Sequence, residues 1–126
     1  MKYQKILLID DDEEDQDIFL SALKELNSAI QFEGIYDAVE ALEKLSKREV
    51  IPDAIFLDLN MPVMNGLQFL SHVKSNDGLK AIPVIIYTTS SQTNTIRLAK
   101  ELGAHDFITK PNKYKDLVNI LRTIFS

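Results

Sequence analysis

Five short apolar runs, each followed by a longer amphipathic stretch, constrain the fold of this chain more than any other feature of its sequence. The runs are Lys5 to Ile9, Gln31 to Tyr36, Ala54 to Leu57, Val84 to Tyr87 and Asp106 to Ile108. Their brevity and their β-branched and aromatic content suit strands buried on both faces of a parallel sheet. In the stretches that follow, apolar residues recur at helical spacing. Phe19, Ala22, Leu23 and Leu26 share one helical face, as do Ala38, Ala41, Leu42 and Leu45, and Leu117, Ile120, Leu121 and Ile124. Leu67, Leu70 and Val73 make a weaker stripe, and Ile96, Ala99 and Leu102 another. Gly66, Gly78 and Gly103 fall near helix ends, and Pro52 and Pro83 precede strands, while Gly34 fits neither place. Strict alternation implies right-handed crossovers, hence an α/β, doubly wound, five-stranded parallel sheet with helices on both sides.

Size and composition narrow the function. The 126 residues fit one domain, spanning 1–126, around a single core, and an apolar fraction of 45% is ordinary for a globular protein. No cysteine is present, which excludes disulfide and thiol chemistry and suits a reducing cytosol. The run Ile6 to Ile9 is too short for the core of a secretory signal, and no segment is long enough to span a bilayer. A net charge of −5 argues against a generic polyanion binder, since affinity for phosphate backbones rests on lysine and arginine. The expectation is a cytoplasmic domain with neither nucleic acid nor membrane as a direct partner.

An open doubly wound sheet binds its ligand beyond the carboxyl ends of its strands. The first run is followed by Asp10-Asp11-Asp12-Glu13-Glu14-Asp15, with Asp17 after them. The third run ends at Asp58, within Phe56-Leu57-Asp58-Leu59-Asn60-Met61-Pro62, and the fifth leads to Lys110-Pro111. The fourth adds the hydroxyls Thr88-Thr89-Ser90-Ser91. Carboxylates gathered at strand ends repel one another, and a hard divalent cation relieves the repulsion. Oxygen donors without cysteine or paired histidine favour Mg²⁺ or Mn²⁺ over zinc. A lysine and a threonine hydroxyl beside them suit an oxyanion, so the set points to metal-assisted phosphoryl chemistry.

Leu7-Leu8-Ile9-Asp10-Asp11, the Asp58 to Pro62 segment with Met64-Asn65-Gly66, Thr88, and Lys110-Pro111 together resemble the motif set of two-component response regulator receiver domains. The resemblance covers essentially the whole chain and is closest in architecture to single-domain, chemotaxis-type regulators. It implies a flavodoxin-like sheet of order 2-1-3-4-5, with Asp58 accepting a phosphoryl group from a histidine kinase or a histidine phosphotransfer protein. It also implies that Asp11, Asp58 and the backbone carbonyl of Asn60 ligate Mg²⁺, with Mn²⁺ possible, and that Asp10 acts through water. Lys110 is expected to pair with Asp58 at rest and with a phosphoryl oxygen afterwards, and Thr88 to donate its hydroxyl to another. Thr88 and Phe107 would then switch protein contacts on the face made by the fourth helix, fifth strand and fifth helix. The Lys110–Pro111 bond is expected to be cis. Such a domain is a phosphoacceptor that takes part in its own phosphotransfer and dephosphorylation rather than an enzyme acting on other substrates. With no output module attached, it would act by binding a target, relaying the phosphoryl group or draining it from a shared kinase.

Other residues read more plainly. Asp12, Glu13, Glu14 and Asp15 suit a solvated helix start, where carboxylates meet the positive end of the helix dipole. His72 and His105 lack paired ligand spacing and read as surface or packing residues. Thr89 is bulkier than the small residue common after the threonine of this family, and Asn112 stands where an aromatic is frequent. Asp10-x-Asp12 also fits a haloacid-dehalogenase-like phosphatase with Asp10 as nucleophile, but Glu14 occupies the place of that family's Thr or Val. A receiver-like module that takes no phosphate is the remaining alternative, and an EF-hand is disfavoured because Asp15 sits where its glycine is needed.

Overall fold

Each apolar run forms a strand and each amphipathic stretch a helix. They alternate as β1 (Lys5–Ile9), α1 (Glu13–Leu26), β2 (Gln31–Ile35), α2 (Ala38–Ser46), β3 (Ala54–Leu57), α3 (Gly66–Lys74), β4 (Val84–Thr88), α4 (Thr93–Glu101), β5 (Asp106–Thr109) and α5 (Tyr114–Phe125). The structure is a computed structural model that describes residues 3–126; Met1 and Lys2, which begin the expected domain, lie outside the described residues. All strand pairs are parallel and the order is β2-β1-β3-β4-β5.

Alternation along the strands divides the core in two. Leu7, Ile9, Ile55, Leu57 and Ile86 face Ala41, Leu45, Phe69, Leu70 and Ala99 of α2, α3 and α4. Ile6, Leu8, Phe56 and Tyr87 face Phe19 and Leu23 of α1 and Leu121 and Phe125 of α5. Phe19 packs edge-on against Phe56 and Tyr87, with ring centroids 4.9 and 5.3 Å apart, and so ties α1 to two central strands. The expectation of burial on both faces holds for β1, β3 and β4 but not for the outer strands. Only Ile35 of β2 and Ile108 of β5 are buried, because an edge strand lacks a neighbour on one side and the helices cover it incompletely.

Asn65 closes a reciprocal capping box with Gln68 at the start of α3, and Asp12 and Asp37 cap α1 and α2. In the loop before α3, Val63 has φ +67 and is 94% exposed. A β-branched side chain is strained in that left-handed region, and at such exposure it gains no packing in return. Val63→Asn is therefore expected to stabilise the protein by about 1 kcal/mol. The check is a higher urea midpoint at unchanged slope. Among the described residues, no helix is long and apolar enough to cross a membrane.

Candidate functional site

Backbone pairing carries the chemically loaded residues to one end of the sheet. The Asp10 N–H donates to the Ile35 carbonyl at 3.1 Å and the Asp58 N–H to the Ile9 carbonyl at 2.9 Å, so the ladder continues one residue beyond β1 and β3. Asp10 and Asp58 thus leave the sheet side by side, with Thr88 closing β4 and Lys110 following β5. The Lys110 N–H donates to the Thr88 carbonyl at 2.7 Å, which holds the start of the β5–α5 loop against β4.

Two close approaches shape this end of the sheet. At Gly66 a Cβ would lie 2.5 Å from the Asp58 carbonyl oxygen and 2.7 Å from the Leu59 Cα. Only glycine lets the first turn of α3 sit directly against the segment carrying Asp58. Gly34 has a comparable reason, which the sequence did not reveal. The buried Gln16 amide Nε2 donates toward the carbonyls of Leu8, Asp10 and Ile35 at 3.1 to 3.3 Å. Its Oε1 lies where a Gly34 side chain would begin and is buried without a hydrogen-bond partner. Gln16 thereby fastens α1 to the ends of β1 and β2.

The carboxylates of Asp10, Asp11 and Asp58 each offer an oxygen, all within 4.8 Å of one another. Asp10 and Asp58 are 0% and 5% exposed, whereas Asp11 faces solvent. Three hard oxygen donors at this spacing, with no sulfur or imidazole among them, fit a hard divalent cation such as Mg²⁺ or Mn²⁺. Asn60 is exposed beside them; its side-chain amide reaches the Thr88 hydroxyl at 3.4 Å, and its N–H reaches an Asp58 oxygen at a long 3.5 Å. Thr88 is fully buried. Phe107 is half-buried against the core cluster shared with α4.

Lys110 holds the cluster together, but not through the single contact expected of it. Its ammonium donates to Asp15 at 2.7 Å and to Asp10 at 2.8 Å, while the expected pairing with Asp58 is a longer ion pair at 3.8 Å. The Tyr87 ring lies beneath it, 5.3 Å from the nitrogen to the ring centroid. Asp15 and Tyr87 both join the site without being singled out by sequence. Asp15 is not merely a solvated helix start: it lies in the first turn of α1, and its carboxylate meets the Lys110 ammonium at 2.7 Å. The Lys110–Pro111 bond is trans, since no peptide among the described residues is cis. Ion pairs and the bond to Thr88 direct the lysine, and trans is the intrinsically favoured isomer. The surface readings of His72 and His105 agree with their exposure.

The two partners of the Asp10–Lys110 pair shift in the same direction. Burial pushes Asp10 up to about 6, against the opposing pull of Lys110. Burial also works against the charge of Lys110, but its bonds to Asp10 and Asp15 outweigh it and raise the lysine. One cation shared among several acids explains both shifts: the lysine is well served and the fully buried acid is not. Burial raises Tyr87 to about 12, which keeps its ring neutral. With a folded value above the unfolded 3.8, Asp10 contributes stability below about pH 4 that is lost as pH rises through about 6. In EDTA, Asp10→Asn should remove that decline and exceed the wild type at pH 7 by about 1–3 kcal/mol. Urea titrations of both proteins at pH 4.5 and 7 provide the check.

A family model described as "Response regulator receiver domain" matches residues 6–122. Response regulator Rcp1 of Synechocystis sp. is 33% identical over 128 residues, covering 96% of this chain and 86% of that protein. Among solved structures, the phosphorylated cyanobacterial phytochrome response regulator RcpA superposes with a TM-score of 0.89 at 30% identity, over 97% of this chain and 91% of that one. The Mn²⁺-bound form of response regulator Rcp1 superposes with a TM-score of 0.86 at 29% identity, over 96% and 91%.

Proposed function

We propose, for a chain that belongs to the response regulator receiver domain family of two-component systems, that Asp58 is the residue that accepts a phosphoryl group. The observation that carries this is a 5%-exposed carboxylate at the end of β3, close to two further carboxylates and 3.8 Å from a buried ammonium. Asp10 is the poorer acceptor. It is wholly buried, one oxygen accepts the Asp12 N–H at 2.9 Å and the other accepts Lys110. That engagement also disfavours the phosphatase reading, in which Asp10 would be the nucleophile.

In the transfer, an ionised Asp58 oxygen attacks phosphorus in the phosphohistidine of a kinase or phosphotransfer protein. The P–O bond forms as the P–N bond breaks, and the electron pair leaves with the imidazole, which takes up a proton. A carboxylate needs no general base for this step. Lys110 donates to one phosphoryl oxygen and the Thr88 hydroxyl to another; Thr88 already stands at the end of β4, while Lys110 reaches the phosphoryl group by loosening its bonds to Asp10 and Asp15. Asp11, Asp58 and the Asn60 carbonyl would hold Mg²⁺ or Mn²⁺, with Asp10 acting through water, and the Mn²⁺-bound relative supports that choice. Once bound, such a cation supplies positive charge against the crowded carboxylates and phosphoryl oxygens.

The domain comprises 1–126, acts in the cytoplasm, and is an acceptor that takes part in its own dephosphorylation. Thr88 and Phe107 couple the site to the α4–β5–α5 face, where Leu98 and Tyr114 are 43% and 44% exposed. A phosphoryl group that bonds the Thr88 hydroxyl would draw the β4–α4 loop inward and let Phe107 rotate in, which favours one of two packings of that face and so alters its protein contacts. The test is incubation with acetyl phosphate and Mg²⁺ followed by intact mass. One phosphoryl group per chain, lost on treatment with hydroxylamine as an acyl phosphate should be, supports the reading. No gain in mass overturns it.

A further inference from the structure

We infer that Asp15 is a positioning residue that holds the Lys110 ammonium back from Asp58 and competes with an incoming phosphoryl group for it. An ammonium has three N–H donors. Two of those on Lys110 are committed, to Asp15 at 2.7 Å and Asp10 at 2.8 Å, and the Asp58 oxygen at 3.8 Å lies beyond hydrogen-bond reach. The shortest of the three contacts is thus to a carboxylate outside the clustered Asp10, Asp11 and Asp58.

The contact spans 95 residues and sets the first turn of α1 against the loop after β5. The Lys110 side chain is only 10% exposed, so water is a weak substitute for either carboxylate. Asp15 itself is 31% exposed, which limits the strength of its hold. A phosphoryl oxygen on Asp58 would therefore gain the lysine against a competitor of moderate strength. Asp15 in this way sets how readily the modified state is reached.

This rests on Asp58 being the acceptor, and the experiment separates the two ideas. Beryllofluoride, which mimics a phosphoryl group on a carboxylate, is titrated calorimetrically into the protein at saturating Mg²⁺. Wild type, Asp15→Asn, Glu14→Gln and Asp58→Asn are compared. Glu14 is an exposed carboxylate in the same helical turn, so its variant removes the same charge without touching Lys110. Asp15→Asn should bind beryllofluoride about 3- to 10-fold more tightly, the scale of one partly exposed ionic competitor, and Glu14→Gln should match wild type. A second readout needs no metal: in EDTA and far below the unfolding transition, an amine-acylating reagent should label Lys110 several-fold faster in Asp15→Asn, while the unfolding midpoint falls only slightly, on the scale of one partly exposed ion pair. Equal affinities for wild type and Asp15→Asn, or an equal gain in Glu14→Gln, overturn the role of Asp15 alone. Wild type that binds no beryllofluoride, or binds it as Asp58→Asn does, overturns the reading of Asp58 and this inference with it.

Discussion

Asp58→Asn is expected to abolish phosphoryl uptake from acetyl phosphate, with a loss of at least about 100-fold in rate, because a neutral amide cannot replace the carboxylate nucleophile. The substitution is nearly isosteric and removes one negative charge from a site where Asp10 and Asp11 already lie close. Stability should therefore hold or rise, and an unchanged circular dichroism spectrum with an equal or higher urea midpoint would exclude misfolding as the cause. Intact mass after a fixed incubation reads the uptake. Equal uptake by the variant would place the acceptor elsewhere, with Asp10 the first residue to examine by peptide mapping.

Lys110→Ala should have the largest effect on stability. It leaves the wholly buried Asp10 without its cation and removes a partner from Asp15 and Asp58. Removing one member of a buried ion pair costs about 3–5 kcal/mol, and the partial exposure of Asp15 places this case near the lower figure. The pH dependence follows from Asp10, which already titrates at about 6. Without the lysine it takes up a proton still more readily, so the variant regains stability as pH falls below that range and loses most above it. Denaturation in EDTA at pH 5 and pH 8 should show the larger deficit at pH 8. Lys110→Met, which keeps the apolar stem over Tyr87, separates loss of charge from loss of packing. A deficit independent of pH would mean that packing dominates.

The fold was legible because β1, β3 and β4 are central strands, whose burial on both faces writes an unbroken apolar run. β2 and β5 were found from the same signal, but their exposure was not, because a run such as Gln31 to Ile35 does not say which strand has no neighbour. Asp10, Asp58, Thr88 and Lys110 were legible as candidates because each directly ends or follows a strand, and parallel strands bring those ends together. Asp15 was obscured by its own neighbourhood, since a string of acids opening a helix has a sufficient explanation in the helix dipole. Its selection from that string depends on the rotation of α1 relative to β5, which no local pattern encodes. Gly34 stood without a reason for the same cause: its partner, Gln16, belongs to another element. Tyr87 read as core, and it is core, but a strand-end aromatic can also support a cation. The expected cis bond at Lys110–Pro111 came from family likeness alone, and in this chain the lysine is directed by its ionic partners instead.

The attachment of Lys110 to Asp10 across 100 residues bears on the order in which the chain assembles. β1 and β3 can pair, with α1 closing over them, before the last strand has docked. At that stage Asp10 and Asp58 already stand side by side, and the cation that reconciles them is still on an unplaced segment. The final association of β5 is thus drawn by charge as well as by apolar contact. Mild acid, by protonating Asp10, should speed the early pairing and weaken the pull on β5. A chain ending before Lys110 would keep the acidic cluster but lose the means of tolerating it.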